Sequence, residues 1–353
     1  MKKILVALSI SVVILSMIVT ISVTGCKATT EDTIAASAET VAETTAAAIE
    51  SGVKPLKIGY CVSYGTTVPV KAIIKGAVDE VKSQEWSDKF DPVEVIIVDA
   101  GMPCNVAKYV NGLEDLFAQG VDGLLIFPAE ASEEASGPVK ELYNKNNVPV
   151  AITDIGITSG EYVIFTVTDN YAGGALAAEY AAKFMEKGSK VQAFNGSPGS
   201  INATNRCTGY EDKMRELGME VLPTRGTTTL FDRAQKDMED LLVSDPDIKG
   251  IFTTTQPMGM GVLRAVENAN LIGKIMITPF DIEADGYKAI QEGKLTACVV
   301  QDFTFIGQKG GEGLMKSLLG EIIEQKDVVV TPLLCTIENY KDFADNTQIL
   351  PAE

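Results

Sequence analysis

Short β-branched runs alternate along most of this chain with stretches that repeat apolar residues at helical spacing. Residues 56–62, 93–98, 123–127 and 148–153 are of strand length and rich in Ile and Val, as strands covered on both faces are. Between them, 70–83, 106–118 and 133–146 carry helical periodicity and helix-forming residues. Alternation of this kind predicts a parallel sheet with helices on both sides. The rhythm then restarts. Residues 161–167 read as extended, 172–185 as helix and 190–194 as strand. Helices follow at 202–216, 232–243, 258–270, 284–292 and 305–319, with strands at 220–223, 250–254, 274–278 and 295–300 between them. Two successive sets predict an α/β protein of two similar lobes. Ligands of open α/β sheets sit outside the carboxyl ends of the strands, so facing lobes place a ligand between them.

The beginning of the chain follows a different pattern. Lys2 and Lys3 precede an uncharged, mostly apolar run from residue 4 to 23, which ends in Val23-Thr24-Gly25-Cys26. A basic start, a greasy segment and small residues before a cysteine read as an export signal of the bacterial lipoprotein kind. Residues 1–25 are then a signal peptide and Cys26 the lipidation site. The run is also long enough for a permanent anchor helix, but Thr24 and Gly25 suit a peptidase that holds the chain extended. Both readings put the rest of the chain outside the cytoplasm, tethered to the membrane. Residues 26–54 are dominated by Ala, Thr, Glu and Ser without an aromatic residue, too little apolar surface to offset ordering entropy, and read as a flexible tether.

Composition removes several function classes. The formal net charge of -18 over 353 residues becomes -20 once Lys2 and Lys3 leave, a surface that repels nucleic acid. Histidine is absent from the sequence, which takes away the usual general base, metal ligand and Ser-His or Cys-His pair. Beyond Cys26 the cysteines are Cys61, Cys104, Cys207, Cys298 and Cys335, an odd number without CxxC spacing. Neither a full disulfide framework nor a zinc ribbon is indicated, and buried thiols or one disulfide remain. No GxxxxGK[ST] loop occurs, and Gly259-Met260-Gly261 lacks the third glycine of a dinucleotide fingerprint. No metal and no cofactor is expected. Gly173-Gly174 reads as a close approach between helices, or as an anion-binding turn.

Several segments, in order, resemble the type I periplasmic sugar-binding proteins, nearest to the ribose-binding branch. They are Lys57-Ile58-Gly59-Tyr60-Cys61-Val62-Ser63, Gly120-Val121-Asp122-Gly123-Leu124-Leu125-Ile126, Asn147-Val148-Pro149-Val150 leading to Asp154, and Thr168-Asp169-Asn170 with Gly173-Gly174. Later ones are Phe231-Asp232-Arg233, Gly261-Val262-Leu263-Arg264-Ala265, Phe280-Asp281 with Asp285-Gly286, and Gly293-Lys294-Leu295. The resemblance implies two Rossmann-like, doubly wound lobes with parallel sheets, joined by a three-segment hinge near Asp169, Asp302 and the C-terminus. Residues 55–168 plus 302–330 would form the N-terminal lobe, and 169–301 plus 331–353 the C-terminal lobe. It implies a monomeric receptor that closes on a small ligand and delivers it to an ABC permease.

A sugar offers hydroxyls that donate and accept, and faces of C–H groups; carboxylates, a guanidinium fork, amides and aromatic rings match it. Asp154 and Asp281 stand past strand ends where the family places ligand carboxylates, and Arg206 matches its sugar-binding arginine. Their plainer roles are a helix cap for Asp154 and a surface ion pair for Arg206. Gln301 ends a strand beside the second crossing, where it would reach the ligand or cap the lobe boundary. Phe231 matches a stacking aromatic, or packs a helix start. Thr255 and Gln256 occupy the loop where the family often has Asn-Asp. The ribose pattern has an aromatic pair where Pro69 and Val70 stand here, and Tyr64, with Thr67 beside it, takes over that side of the site. Ile155 replaces an arginine, a loss of about 1.5 to 3 kcal/mol of charged hydrogen bonding that argues against ribose itself.

The expectation is a sugar or sugar-like polyol. Other readings are a nucleoside or furanone ligand, or a sensor that presents its ligand to a chemoreceptor or histidine kinase. An enzymatic reading makes Asp154 and Asp281 the carboxylates of a glycosidase. Cys26→Ser is expected to release the protein from membranes into the wash fraction; retention through alkaline washing would make residues 4–23 an anchor helix instead.

Overall fold

The computed structural model describes residues 53–102 and 105–346. The expected signal peptide (residues 1–25), Cys26, nearly all of the expected 26–54 tether, Cys104 and residues 347–353 lie outside the described residues.

Chain order in the first lobe is β1 (Lys54–Val62), α1 (Val68–Val81), β2 (Phe90–Asp99), α2 (Val106–Ala118), β3 (Gly123–Phe127), α3 (Glu133–Pro138), β4 (Val150–Thr153) and β5 (Ile164–Thr168). The second lobe runs α4 (Asn170–Ala182), β6 (Lys190–Asn195), α5 (Ile201–Glu216), β7 (Glu220–Val221), β8 (Arg225–Gly226), α6 (Phe231–Ser244), β9 (Ile248–Thr253), α7 (Gln256–Asn268), β10 (Met276–Pro279), α8 (Ala284–Gln291) and β11 (Ala297–Val300). Then α9 (Phe303–Leu318) and β12 (Asp327–Val330) return to the first lobe, and β13 (Leu333–Thr336) ends in the second.

The first sheet has the order β12-β5-β4-β3-β1-β2, with every neighbouring pair parallel. The second is β10-β9-β6-β7, also parallel, and β8 pairs with the end of β6. This is the α/β fold of two lobes with parallel sheets that the alternation predicts. Each sheet carries an apolar cluster on either face. In the first lobe Ile58, Tyr60 and Leu125 face one cluster, while Cys61, Leu124 and Ile126 face the other. Burying each such side chain contributes roughly 1.5 to 3 kcal/mol.

Four departures have physical causes. Helix 133–146 is broken: α3 stops at Pro138, and a π-helical turn over 139–143 and a 3-10 turn over 144–146 follow. Pro138 lacks an N–H and crowds the preceding turn, so the regular ladder cannot pass it. Conversely, α1 and α7 start two residues earlier than their periodicity indicates, because Pro69 and Pro257 fall in the first turn, where the missing N–H costs nothing. β12 and β13 emerge from a stretch without a clear pattern. β13 pairs antiparallel with β11, since β11 runs toward the crossings and β13 away from them.

Close helix contacts at glycines fix the helices that follow the crossings. A Cβ on Gly76 of α1 would lie 2.1 Å from the Thr304 carbonyl oxygen of α9, and one on Gly307 of α9 2.0 Å from that of Ile73. The second lobe repeats the device. A Cβ on Gly174 of α4 would meet the Arg206 carbonyl oxygen at 2.0 Å, and one on Gly209 of α5 that of Tyr171 at 2.0 Å. Gly173 lies under the Phe280 ring. The paired glycines thus serve helix contact, and they hold the backbone of Arg206. Gly174→Ala is expected to cost about 1 to 3 kcal/mol in urea unfolding as α5 is pushed off α4; unchanged stability would show that the helices have slack.

Candidate functional site

Asp154 follows β4 directly and Asp281 stands two residues past β10, so both strand ends aim a carboxylate out of their sheets. Both residues adopt left-handed backbone, with φ of 64° and 72°, and Tyr64, two residues past β1, does so at 59°. A non-glycine residue held there is uncommon and clusters where function demands it. Local bonds enforce these turns. Asp154 N–H donates to the Thr166 carbonyl at 2.7 Å. The Tyr64 carbonyl accepts from the Thr67 N–H and hydroxyl at 2.9 and 2.8 Å, while Asp99 at the end of β2 accepts from Gly65 and Gly101 N–H.

Arg206 lies in the second turn of α5 and is buried, not part of a surface ion pair. Its Nε donates to Asn170 Oδ1 at 2.7 Å and its Nη1 to the Thr254 carbonyl at 2.9 Å. Nη1 also lies 3.8 Å from Asp281 Oδ2, and the guanidinium carbon sits 3.9 Å from the Phe280 ring centre. Gln301 Nε2 donates to Asp281 Oδ1 at 2.6 Å. From the same helix, Asn202 reaches Asp154, its Nδ2 donating to the backbone carbonyl at 3.1 Å and lying 3.5 Å from Oδ2. Asp154, Arg206, Asp281 and Gln301 therefore belong to one buried polar cluster fed by both lobes.

One guanidinium faces two carboxylates there. Burial pushes the Asp154 carboxyl up to about 6, against the pull of Arg206 and with the help of Asp281. Asp281 moves up for the same reason, opposed by Arg206 and by the Gln301 hydrogen bond. Buried oxygens with no partner among the described residues cluster at the same strand ends: Asp154 Oδ1, Ser63 Oγ past β1, and Thr255 Oγ1 past β9. Such atoms are expensive to leave bare, and a ligand rich in hydroxyls would satisfy both an acceptor-only carboxylate and two hydroxyls.

Other candidates are placed differently. Gln256 is buried at the start of α7, but its amide is used up locally: it donates to Asp285 and accepts from the Glu283 N–H, capping α8. Phe231, half-buried, lines a cavity of about 360 Å³ with Met260, Leu263 and Arg264, which none of the other candidates borders. Tyr64 is half-buried against the first-lobe core and Thr67 precedes α1. Asn170, Asn202, Ser63 and Phe280 were not singled out from the sequence. Only Asn202 carried a signal, its spacing of one helical turn before Arg206, which puts both on one face. Cys61, Cys207, Cys298 and Cys335 are free and buried. Among the described residues no group of His, Cys, Asp and Glu could hold a metal, and no helix is long and apolar enough to cross a membrane.

A family model described as a periplasmic binding protein domain matches residues 72–322, and the chain belongs to that family. Within it the chain is a type I sugar-binding protein of the ribose-binding kind. The ribose import binding protein RbsB of Escherichia coli is 34% identical over 224 residues, 63% of this chain and 74% of that protein. RbsB of Bacillus subtilis is 32% identical over 247 residues, covering 69% and 78%. Among solved structures, an ABC transporter solute-binding protein from Agrobacterium vitis with bound D-fucose superposes with a TM-score of 0.73 at 23% identity, over 83% of this chain and all of that one. The family consists of solute-binding proteins.

The raised carboxyl of Asp154 has a consequence for stability. A folded-state value above the ordinary one of 3.8 means that the folded protein holds the proton more tightly. Stability without ligand therefore falls as pH rises from about 4 through about 6 and stays low above it. Asp154→Asn is expected to stabilise the ligand-free protein at pH 8 by about 2 to 3 kcal/mol and to flatten that slope. Identical urea midpoints for both proteins at pH 5 and at pH 8 would show that Asp154 is well solvated.

Proposed function

We propose that this chain is an extracytoplasmic substrate-binding lipoprotein of an ABC importer, anchored through Cys26, which captures a sugar or sugar-like polyol between its lobes and hands it unchanged to a permease. The observation that carries this reading is the meeting of Asp154, Arg206, Asp281 and Gln301 in one buried cluster, in which Asp154 Oδ1 has no partner among the described residues and calls for one that can donate, as a hydroxyl does. Ionised carboxylates accept from paired hydroxyls, and the guanidinium fork donates to a ring or hydroxyl oxygen. Phe280 backs the guanidinium and holds it in plane. Relatives named for ribose import support a monosaccharide-sized guest, while Ile155 and the absent aromatic pair favour one other than ribose.

The lobes are taken as 55–168 plus 302–330 and 169–301 plus 331–353, with Asp154 supplied by the first and Arg206, Asp281, Thr255 and Gln301 by the second. Closure would place the ligand against both. Transport is the favoured role over glycoside cleavage because the family to which the chain belongs consists of solute-binding proteins.

A thermal-shift screen over pentoses, hexoses, polyols and nucleosides identifies the ligand. Binding at one hundred times the dissociation constant adds about 2.7 kcal/mol to stability, so the true guest raises the melting temperature by several degrees. In Arg206→Ala that rise is expected to vanish while the ligand-free protein still unfolds cooperatively. A rise that survives the substitution removes Arg206 from the site, and a panel in which only nucleosides respond overturns the sugar reading.

A further inference from the structure

The bond between Asn202 and Asp154 joins the two lobes through side chain and space, in addition to the covalent chain crossings. Asn202 stands in the first turn of α5, after the Ser200 cap, and is buried. Its carboxamide leaves its own helix and donates to the Asp154 carbonyl at 3.1 Å, with Asp154 Oδ2 at 3.5 Å. One turn further along, Arg206 turns to Asn170, Thr254 and Asp281 within the second lobe. A single helix face thus holds the first lobe with an amide and its own lobe with a cation. The carboxylate of Asp154 is divided by this contact: Oδ2 lies on the Asn202 side, and Oδ1 is buried without a partner among the described residues.

We propose that Asn202 is a positioning residue that acts through Asp154: it draws the lobes together, turns Asp154 so that Oδ1 is the oxygen left for a ligand, and favours the ionised carboxylate. The proposal rests on the two-lobe binding site argued above, but its chemistry is independent of which guest enters. The groups facing the Asp154 carboxyl are Arg206 from α5, Asp281 from the turn after β10, and the Tyr60 phenol from β1, which bonds Thr153 at 3.2 Å. Arg206 favours the charge and Asp281 opposes it. An amide donor adds to the side of Arg206, because a hydrogen bond to the charged form stabilises that form. Through this bond alone, what Asn202 contributes to closure it also contributes to the ionised form, against the burial that pushes the Asp154 carboxyl up.

The test uses ligand-free protein, so failure of the sugar reading leaves it untouched. In protein labelled with ¹³C at aspartate side-chain carboxyls, the Asp154 signal is identified by its loss in Asp154→Asn and titrated in wild type, Asn202→Ala and Asn202→Asp. The Asp154 midpoint should rise by about half to one unit in Asn202→Ala and further in Asn202→Asp, where a carboxylate replaces the donor. Small-angle scattering of the same proteins should give a larger radius of gyration for both variants than for wild type at pH 8. A residue that merely caps α5 would lower the melting temperature without moving the Asp154 titration. An unmoved midpoint in both variants, or an unchanged radius of gyration, overturns the proposal.

Discussion

A single buried guanidinium set against two buried carboxylates is the constraint on which the architecture turns. Neither Asp154 nor Asp281 would stay ionised in so dry a place without Arg206, and Arg206 would be costly there without them. Everything around the trio serves to hold it. Asn170 and the Thr254 carbonyl fix the guanidinium plane, Phe280 lies against its face, and Gln301 takes one oxygen of Asp281. The Gly174 contact sets the Arg206 backbone through a close approach that only a residue without a side chain permits.

The two halves repeat one design. Each sheet ends a strand in an aspartate with left-handed backbone, and each connection from strand to returning helix begins with an aspartate cap: Asp169 accepts from Ala172 N–H at 2.9 Å, and Asp302 from Phe305 N–H at 3.0 Å. Each helix so started then closes on a neighbour through reciprocal glycines. The halves are not equivalent in polarity, however. Arg206, Asn170, Asn202 and Gln301 all come from the second lobe, so Asp154 of the first lobe depends on the second for its charged and amide neighbours.

Strands were legible in the sequence because burial on both faces leaves few residue types acceptable: β3 and β4 are apolar throughout apart from Gly123 and Thr153. Helices α1, α4, α7 and α9 each start two residues before their expected first position, because a helix begins at its cap and first turn and apolar periodicity marks only the part that packs. Asp154, Arg206 and Asp281, which the structure brings together, are singled out in the sequence by resemblance to family motifs, while local periodicity is silent about them. For Gln256 the sequence leaves two roles open, because an amide in a loop after a strand suits ligand binding and helix capping equally; the tertiary structure adds its bonds to Asp285 and Glu283. The spacing of Asn202 one turn before Arg206 gives its helix face but not its partner, which is distant in sequence and is, in part, a backbone oxygen.

The links between the lobes are very short. Only Asp169 separates β5 from α4, residues 301–302 separate β11 from α9, and residues 331–332 separate β12 from β13. They also run side by side: Thr168 pairs with Val330 on one side of the passage and Val300 with Leu333 on the other. Three straps this short and this close together would make the halves fold about a line through them, as a book does about its spine. Asp154, whose N–H bonds Thr166 two residues before the end of β5, and Arg206, which bonds Asn170 just beyond Asp169, stand beside that spine, so a ligand gripped there is held where the halves move least.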